Sequence, residues 1–233
     1  DKMEYVEDLK WRKGIDVSSF VESLGKVGFQ AVELKRASDI IVKMKKEGAK
    51  IFLTFTSNMA TSGLRGFFAQ VISLKMANFV ITTTGAIEED IMRSIGERFI
   101  ISSFNADDIK LHEDGMNRVG NLLIPNESYA KFENFIGPVL NELNSKKSRY
   151  PVSELLHEIG LKLNDKNSFL YQAAKNNVPV FAPAITDGSL GFHLYFMQQR
   201  NRNFVIDVVM DFKNLITSIS QDDKKGLISL GGG

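Results

Sequence analysis

Short apolar runs alternate with longer segments of helical period along this chain, and the alternation limits its possible folds more than any other feature. Strands that are buried on both faces have this composition, because helices cover both sides of a parallel sheet. The alternation predicts a doubly wound α/β fold with a mostly parallel sheet and helices on both faces. The predicted strands cover residues 51–55, 79–83, 99–101, 178–181, 204–209 and 227–230.

The segments between these runs have the spacing of amphipathic helices. In residues 30–46, apolar side chains fall near one face, lysines and glutamates lie opposite, and Gly48 follows as a stop signal. No internal repeat or low-complexity linker divides the sequence, so we expect a single α/β domain over residues 1–233. The predicted helices cover residues 30–46, 62–76, 127–144, 152–163, 168–175 and 211–220.

Composition excludes several classes of function. The 29 Lys and Arg residues balance 28 Asp and Glu residues, so no net field attracts nucleic acid or a membrane. The absence of cysteine excludes disulfides, thiolate metal sites and cysteine nucleophiles, and it fits a reducing compartment. No apolar run approaches the roughly 18 residues of a membrane span, and the first residues are charged. We expect a cytoplasmic protein without nucleic-acid or membrane partners.

The familiar motifs for dinucleotide, phosphate and zinc binding are missing. No glycine fingerprint opens a helix, no P-loop is present, and no two histidines have zinc-ligand spacing. The histidines, His112, His157 and His193, are scattered along the chain, which favours surface or packed side chains over metal ligands. We therefore expect no metal site.

Small polar residues follow three of the predicted strands. Ser57 and Asn58 follow the first, Thr84 and Gly85 follow the second, and Asp187 lies among glycines after a later one. In doubly wound folds, ligands bind beyond the carboxyl ends of the strands. Helix capping explains either of the first two motifs taken alone, although phosphate or ribose oxygens would use the same groups. Three such strand ends together favour a ligand site.

Glu88, Glu89 and Asp90 form a cluster that helix capping does not require. One interpretation is a solvated first turn that the helix dipole stabilises. The other is contact with a cationic ligand at the mouth of the site. The sequence pattern alone is compatible with both.

Six longer stretches of the sequence match one known family, in the family's order, from about Trp11 onward. They are TSNMATSGLRG (56–66), TTTGAIEED (82–90), NRVGNLLIPNESYAKFE (117–133), AAKNNVPVFAPAITDGSLG (173–191), DVVMDFKNL (207–215) and LGGG (230–233). Through these stretches the chain resembles the deoxyhypusine synthase family. The resemblance implies a Rossmann-like NAD-binding fold of the deoxyhypusine synthase type, which lacks the usual glycine fingerprint.

The resemblance also implies a reaction. Family members use NAD to oxidise spermidine, hold its aminobutyl group as an imine on an enzyme lysine, and transfer it to one lysine of the translation factor 5A precursor. They form homotetramers in which active sites are shared across a dimer interface. Because spermidine is a polycation, an acidic pocket is needed, and this gives Glu88 and Glu89 a reason that capping lacked.

The family's site residues fall on specific positions of this sequence. Glu88 and Glu89 are implied to contact the polyamine, and Glu89 is implied to lie near the cofactor as well. The implied NAD contacts are Ser57, Asn58, Met59, Ala60, Thr61, Thr83, Thr84, Gly85, Glu89, Asp187 and Gly232.

The sequence departs from the family pattern in three ways. Phe192 follows Gly191 where an acid that binds spermidine is usual, and Ala86 replaces a usual glycine. No lysine in residues 1–233 matches the catalytic one, which we expect beyond residue 233. Two alternatives to an active deoxyhypusine synthase therefore stay open. One is a catalytically inactive paralogue that binds and activates a partner, and the other is an enzyme like homospermidine synthase that uses a free amine as acceptor.

Overall fold

A computed structural model describes residues 3–219 and 221–231 of the chain. These residues form two compact units, and each is described by itself. The first unit contains the residues before Lys50 together with Lys224–Gly226, and the second contains the remainder. The expectation of a single domain over residues 1–233 stays a prediction.

The first unit is helical. Helix α1 begins because the Asp16 carboxylate accepts a hydrogen bond from the backbone N–H of Ser19 at 2.9 Å. Helix α2 has the bounds that its apolar periodicity predicts, so that prediction is confirmed. The helices are α1 (Val17–Ser23) and α2 (Gln30–Lys46), with a single 3-10 turn (Leu24–Lys26) between them.

The second unit contains the remaining helices, and several differ from their predicted bounds. The predicted helix 62–76 is shorter, because Gly63 has a φ of +103° and interrupts the helical backbone just before α4. The predicted helix 211–220 begins three residues earlier than expected, and residue 220 lies outside the described residues. The helices are α3 (Ser57–Met59), α4 (Arg65–Ser73), α5 (Thr84–Ser94), α6 (Asp108–Glu113), α7 (Asn126–Lys146), α8 (Val152–Leu163), α9 (Phe169–Lys175), α10 (Ser189–Arg200) and α11 (Val208–Thr217), with a π-helical turn (Ala60–Leu64) between α3 and α4.

A four-stranded sheet lies at the centre of the second unit. Its strands are β1 (Lys50–Phe55), β2 (Phe79–Thr82), β7 (Val180–Phe181) and β9 (Lys225–Leu230), in the order β7-β2-β1-β9. The pairs β1–β2 and β2–β7 are parallel. Helices flank the sheet, and Leu53, Phe55 and Val80 belong to the buried core. The prediction of an α/β fold with a mostly parallel sheet is confirmed.

Two predicted strands belong to other sheets. Residues 99–101 supply only β3 (Ile100–Ile101), which pairs antiparallel with the hairpin of β4 (Met116–Val119) and β5 (Leu122–Pro125). The run 204–209 supplies β8 (Val205–Asp207), which pairs with β6 (Arg149–Pro151) in a sheet of two strands. That run ends early because the Asp207 carboxylate accepts from the N–H of Met210 at 2.7 Å and caps α11.

Candidate functional site

The carboxyl ends of β1, β2 and β7 bring the predicted site residues together. Because these strands are neighbours in a parallel arrangement, the segments that follow them leave the sheet at the same edge. Helix α5 follows β2, the central strand of the three. It contacts both neighbouring segments, one through Thr84 and Glu88 and the other through Gly85 and Glu89.

Gly85 and Glu89 face the segment that follows β1. A Cβ atom at Gly85 would lie 3.0 Å from the Cβ of Ser57, so glycine allows α5 and α3 to approach closely. One turn further along α5, the Glu89 carboxyl group contacts the hydroxyl of Thr61. The same hydroxyl lies 2.9 Å from the carbonyl oxygen of Ser57. Gly85 and Glu89 of α5 therefore face Ser57 of α3 and Thr61 of the π-helical turn that follows it.

The hydrogen bonds of Thr61 bear on the protonation of Glu89. A threonine hydroxyl has one hydrogen, and the Ser57 carbonyl oxygen can only accept. When Thr61 donates to Ser57, its contact with Glu89 requires a proton on the carboxyl group. The pKa of Glu89 is raised to about 7. Burial is the largest cause, the Thr61 hydrogen bond opposes it, and the charge of Glu88 adds to it. Near neutral pH, Glu89 therefore exchanges between its acid and its carboxylate.

Thr84 and Glu88 face the segment that follows β7. The Thr84 hydroxyl donates to the carbonyl oxygen of Ala184 at 2.7 Å, and Glu88 Oε1 accepts from the backbone N–H of Leu190 at 2.8 Å. The pKa of Glu88 is raised to about 7. Burial is the largest cause, the N–H groups of Leu190 and Ser189 oppose it, and the charge of Asp187 adds to it. Asp187 itself is exposed, between the two anchored points.

Asp90 has a different role from the two glutamates. It is fully buried, and its carboxylate accepts from Arg65 Nε at 2.6 Å, Ser168 Oγ at 2.6 Å and the Leu170 N–H at 3.0 Å. Arg65 also pairs with Asp165 at 2.6 Å. The positive partner of Asp90 is thus Arg65 of the same chain. Together, these hydrogen bonds connect α5 to α4 and to the start of α9.

The interpretation of the three acids as a solvated first turn is wrong. Glu88 is 6% exposed, Glu89 is 9% exposed and Asp90 is 0% exposed. Burial of acids is costly unless a positive partner or donor compensates it. Among the described residues, Arg65 compensates Asp90, whereas the groups that contact Glu88 and Glu89 are amides and a hydroxyl.

Thr83 has an unsatisfied polar group beside this pair of acids. It precedes α5, and its buried hydroxyl has no hydrogen-bond partner among the described residues. Buried hydroxyls normally have a partner, so an unpaired one at a strand end is a candidate contact for a ligand. Gly231 directly follows β9, the neighbour of β1 in the sheet. It has a φ of +79°, and a Cβ there would lie 3.2 Å from the Thr56 hydroxyl oxygen at the end of β1.

The remaining predicted contacts vary in exposure. Asn58 is exposed, Met59 is half-buried and Ala60 is buried. Gly232 lies outside the described residues. The two departures in this region differ in consequence: Ala86 lies inside α5 without a positive φ and is unstrained, whereas Phe192 lies on α10 with 66% exposure.

The proximity of Tyr129 to the two glutamates was not visible in the sequence. Tyr129 lies on α7, half-buried, and burial raises its pKa with further contributions from the charges of Glu89 and Glu88. Its phenol therefore lies within electrostatic reach of both acids. The chain separation of about 40 residues hides this proximity, because only the packing of α7 against α5 creates it.

The described part of the chain has neither a membrane-spanning helix nor a cluster of metal-binding side chains. Within residues 3–219 and 221–231, no helix combines the length and the apolar character needed to cross a membrane. The same residues include no group of three His, Cys, Asp or Glu side chains placed to hold a metal ion.

Comparison with known proteins gives a consistent result. The family model for deoxyhypusine synthase matches residues 19–233. A probable deoxyhypusine synthase of Schizosaccharomyces pombe is 38% identical over 237 aligned residues, which cover 94% of this chain and 67% of that protein. The deoxyhypusine synthase of Arabidopsis thaliana is 34% identical, with 100% of this chain and 71% of that protein covered.

A solved structure agrees with the sequence matches. A crystal structure attributed to a deoxyhypusine synthase of Entamoeba histolytica superposes with a TM-score of 0.74 and 28% sequence identity. The match covers 98% of this chain and 79% of that chain. With the family model, the relatives and the fold in agreement, the chain belongs to the deoxyhypusine synthase family.

Proposed function

We propose that this chain binds NAD and spermidine for the deoxyhypusine synthase reaction, the transfer of an aminobutyl group from spermidine to one lysine of the translation factor 5A precursor. One observation supports this most directly. Glu88 and Glu89 are adjacent, buried and without a cationic partner among the described residues, whereas Asp90 beside them has Arg65. Such a pair of acids favours a cationic ligand, and spermidine is a polycation.

The residues around α5 fit a dinucleotide. The unpaired Thr83 hydroxyl offers a hydrogen bond, and the start of α3 at Ser57 offers backbone N–H groups to phosphate oxygens. We propose that NAD contacts the residues at the strand ends, which are Ser57 to Thr61, Thr83 to Gly85 and Asp187. Since the Thr84 hydroxyl already donates to Ala184, we propose that Thr84 contributes through its backbone. When bound, NAD supplies the hydride acceptor that amine oxidation requires.

Glu88 and Glu89 are suited to a substrate that arrives as a cation. Both have a pKa raised to about 7, so part of the population is neutral near pH 7. An ammonium group favours the charged carboxylates, and binding therefore releases protons. This lets buried acids exist without a fixed counter-ion until the amine enters. The imine-forming lysine of the reaction is not assigned to any lysine of this sequence.

We also propose the homotetramer with shared sites. Helix α11 supports it, because Val209, Phe212 and Ile216 share one exposed apolar face at spacings of three and four residues. Contiguous apolar faces on a protein surface often mark interaction sites. A cytoplasmic location stays a prediction from the sequence.

The transfer reaction itself gives the test. The intact, full-length protein is incubated with NAD, spermidine labelled in its aminobutyl group, and the translation factor 5A precursor, because the imine-forming lysine is expected outside residues 1–233. We expect label on the precursor, and a Glu89→Gln variant with weaker spermidine binding but unchanged folding. Label on a competing free amine instead would favour the homospermidine synthase type. Binding of NAD and spermidine without transfer to either acceptor would favour the inactive paralogue, for which the exposed Phe192 is the motivating departure.

A further inference from the structure

The segment from Ala184 to Leu190, here called the Asp187 loop, is held at both ends by helix α5. Thr84 Oγ1 donates to the Ala184 carbonyl oxygen at 2.7 Å, and Glu88 Oε1 accepts from the Leu190 N–H at 2.8 Å. The two residues of α5 are four apart and therefore lie on one face, one turn from each other. Two hydrogen bonds from one rigid element thus fix the start and the end of the loop.

The hydrogen bond at Leu190 compensates for a missing cap. Helix α10 begins after Gly188, which has no side chain to accept from the first N–H groups of the helix. Those N–H groups need an acceptor when they are buried, and Leu190 is buried. Glu88 supplies that acceptor from a different helix. The carboxylate of Glu88 therefore supplies the capping hydrogen bond at the N-terminus of α10.

Two glycines, Gly188 in the loop and Gly191 just after it, allow close packing here. A Cβ at Gly188 would overlap Glu88 Oε1 and lie 3.2 Å from the Thr84 methyl group. A Cβ at Gly191 would lie 2.5 Å from the carbonyl oxygen of Thr186. The loop therefore packs closely against α5 at Gly188, and against the start of α10 at Thr186.

We infer that Thr84 and Glu88 form a clamp that holds the Asp187 loop in the conformation that binds NAD. This makes Glu88 a positioning residue for the cofactor in addition to its role toward the amine. The inference rests on the proposed function, because Asp187 is one of the proposed NAD contacts. The inference distinguishes two properties of Glu88. The oxygen that accepts from Leu190 holds the loop for NAD binding, and the negative charge attracts spermidine.

Two substitutions at Glu88 separate these properties. Glu88→Gln keeps a carbonyl oxygen that can accept from Leu190 and removes the charge, whereas Glu88→Ala removes both. Thr84→Val removes the hydroxyl at the other end of the clamp with little change in shape. Thr217→Val is its matched control, since the Thr217 hydroxyl also donates to a backbone carbonyl, that of Lys213 at 2.9 Å, on α11.

The first measurement is amide hydrogen exchange of the ligand-free chain. We expect Glu88→Ala to speed exchange at Ser189 and Leu190, and Glu88→Gln to exchange as the wild type does. Thr84→Val should speed exchange within the Asp187 loop, and Thr217→Val should leave the loop unchanged. Unaltered exchange in Glu88→Ala would overturn the clamp. Far-UV circular dichroism shows whether each variant is folded. If Glu88→Ala does not fold, Thr84→Val still tests the clamp from its other end.

The second measurement is titration calorimetry with NAD and, separately, with spermidine. Glu88→Ala should raise the Kd for NAD about threefold to tenfold, the size of a lost helix cap. Glu88→Gln should bind NAD as the wild type does but bind spermidine more weakly. Equal NAD binding by the wild type and Glu88→Ala overturns this inference alone, as does weakened NAD binding in Glu88→Gln. A wild-type chain that binds no NAD overturns the proposed function.

Discussion

Three consecutive acids on α5 show how strongly the surroundings of a side chain decide its chemistry. Successive residues on a helix point about 100° apart, so Glu88, Glu89 and Asp90 face three different segments. Glu88 meets the start of α10, Glu89 meets Thr61, and Asp90 meets Arg65. Only the third meets a positive charge. Burial raises the pKa of all three, to about 7 for Glu88 and Glu89.

The two glutamates predict a pH dependence of stability. The pKa of each rises from an ordinary 4.5 to about 7 on folding, so the folded chain retains protons that the unfolded chain has released. Their contribution is greatest below pH 4.5, and it decreases as the pH rises to about 7. A Glu88→Gln, Glu89→Gln double variant should lack this slope. Urea unfolding at several pH values measures it, and parallel curves for the two proteins would contradict the assignment.

The close packing at Gly188 predicts that a larger residue there lowers the stability of the fold. A methyl group in place of its hydrogen would overlap the Glu88 carboxylate, so Gly188→Ala should lower the free energy of unfolding by about 1–3 kcal/mol. Gly137→Ala is the control, because Gly137 lies inside α7 with nothing within 4 Å of the added carbon. That change should be neutral or stabilising by up to about 1 kcal/mol. Equal effects of the two changes in denaturant unfolding would show that the Gly188 site has room.

At the scale of elements, α5 connects the segments that build the site. The Ser57–Thr61 segment, the Asp187 loop and the start of α9 each contact a different side of this helix. The polar residues at the strand ends were visible in the sequence, because small polar residues after apolar runs are a local pattern. Their pairings were not visible: Asp90 meets Ser168 across 78 residues, and only helix packing brings the two together.

Pairing between distant residues also explains why two predicted strands belong to other sheets than expected. A short β-branched run such as 99–101 shows extended structure but not its partner. The β4–β5 hairpin supplied that partner, and its tight turn at Gly120 has a φ of +62°. The run 204–209 likewise ended at a cap, because Asp207 had the sequence context of a strand but the role of an N-cap.

The Asp90 network predicts a large cost when it is broken. Asp90→Ala leaves the buried Arg65 with only one of its two carboxylate partners and removes the acceptor for Ser168 and Leu170. We expect a loss of about 3–5 kcal/mol in the free energy of unfolding. Asp108→Ala breaks an exposed ion pair with Arg118 and should cost less than about 1 kcal/mol. Denaturant unfolding measures both, and a small effect at Asp90 would mean that the network does not stabilise the fold.

At the scale of the whole molecule, the family resemblance supplied what local patterns could not. Strand ends and buried acids indicated a ligand site, and the six matching stretches indicated which reaction it serves. The comparison with relatives confirmed the family. The position of each contact around the cofactor stays a prediction, because it depends on groups that only binding measurements can identify.

Ligand binding should raise the thermal stability of the chain. A ligand at 100 times its Kd stabilises the folded state by about 2.7 kcal/mol, which corresponds to about 5–10 °C in Tm for a unit of this size. We expect NAD to produce such a shift in the wild type and a much smaller one in Asp187→Ala. Asp114→Ala, on the exposed end of α6, is the control and should behave as the wild type does. Equal shifts in all three proteins would remove Asp187 from the proposed NAD site.

The hydrogen bond between Glu88 and Leu190 has an evolutionary consequence. Glutamate and glutamine codons differ by one base, and both side chains present an oxygen that can cap α10. A lineage could therefore lose the charge of the amine site in one step while the loop, the helix and the sheet edge keep their shape. A gene duplicate with this fold can therefore lose amine binding and keep only a role as a binding partner, without first losing stability.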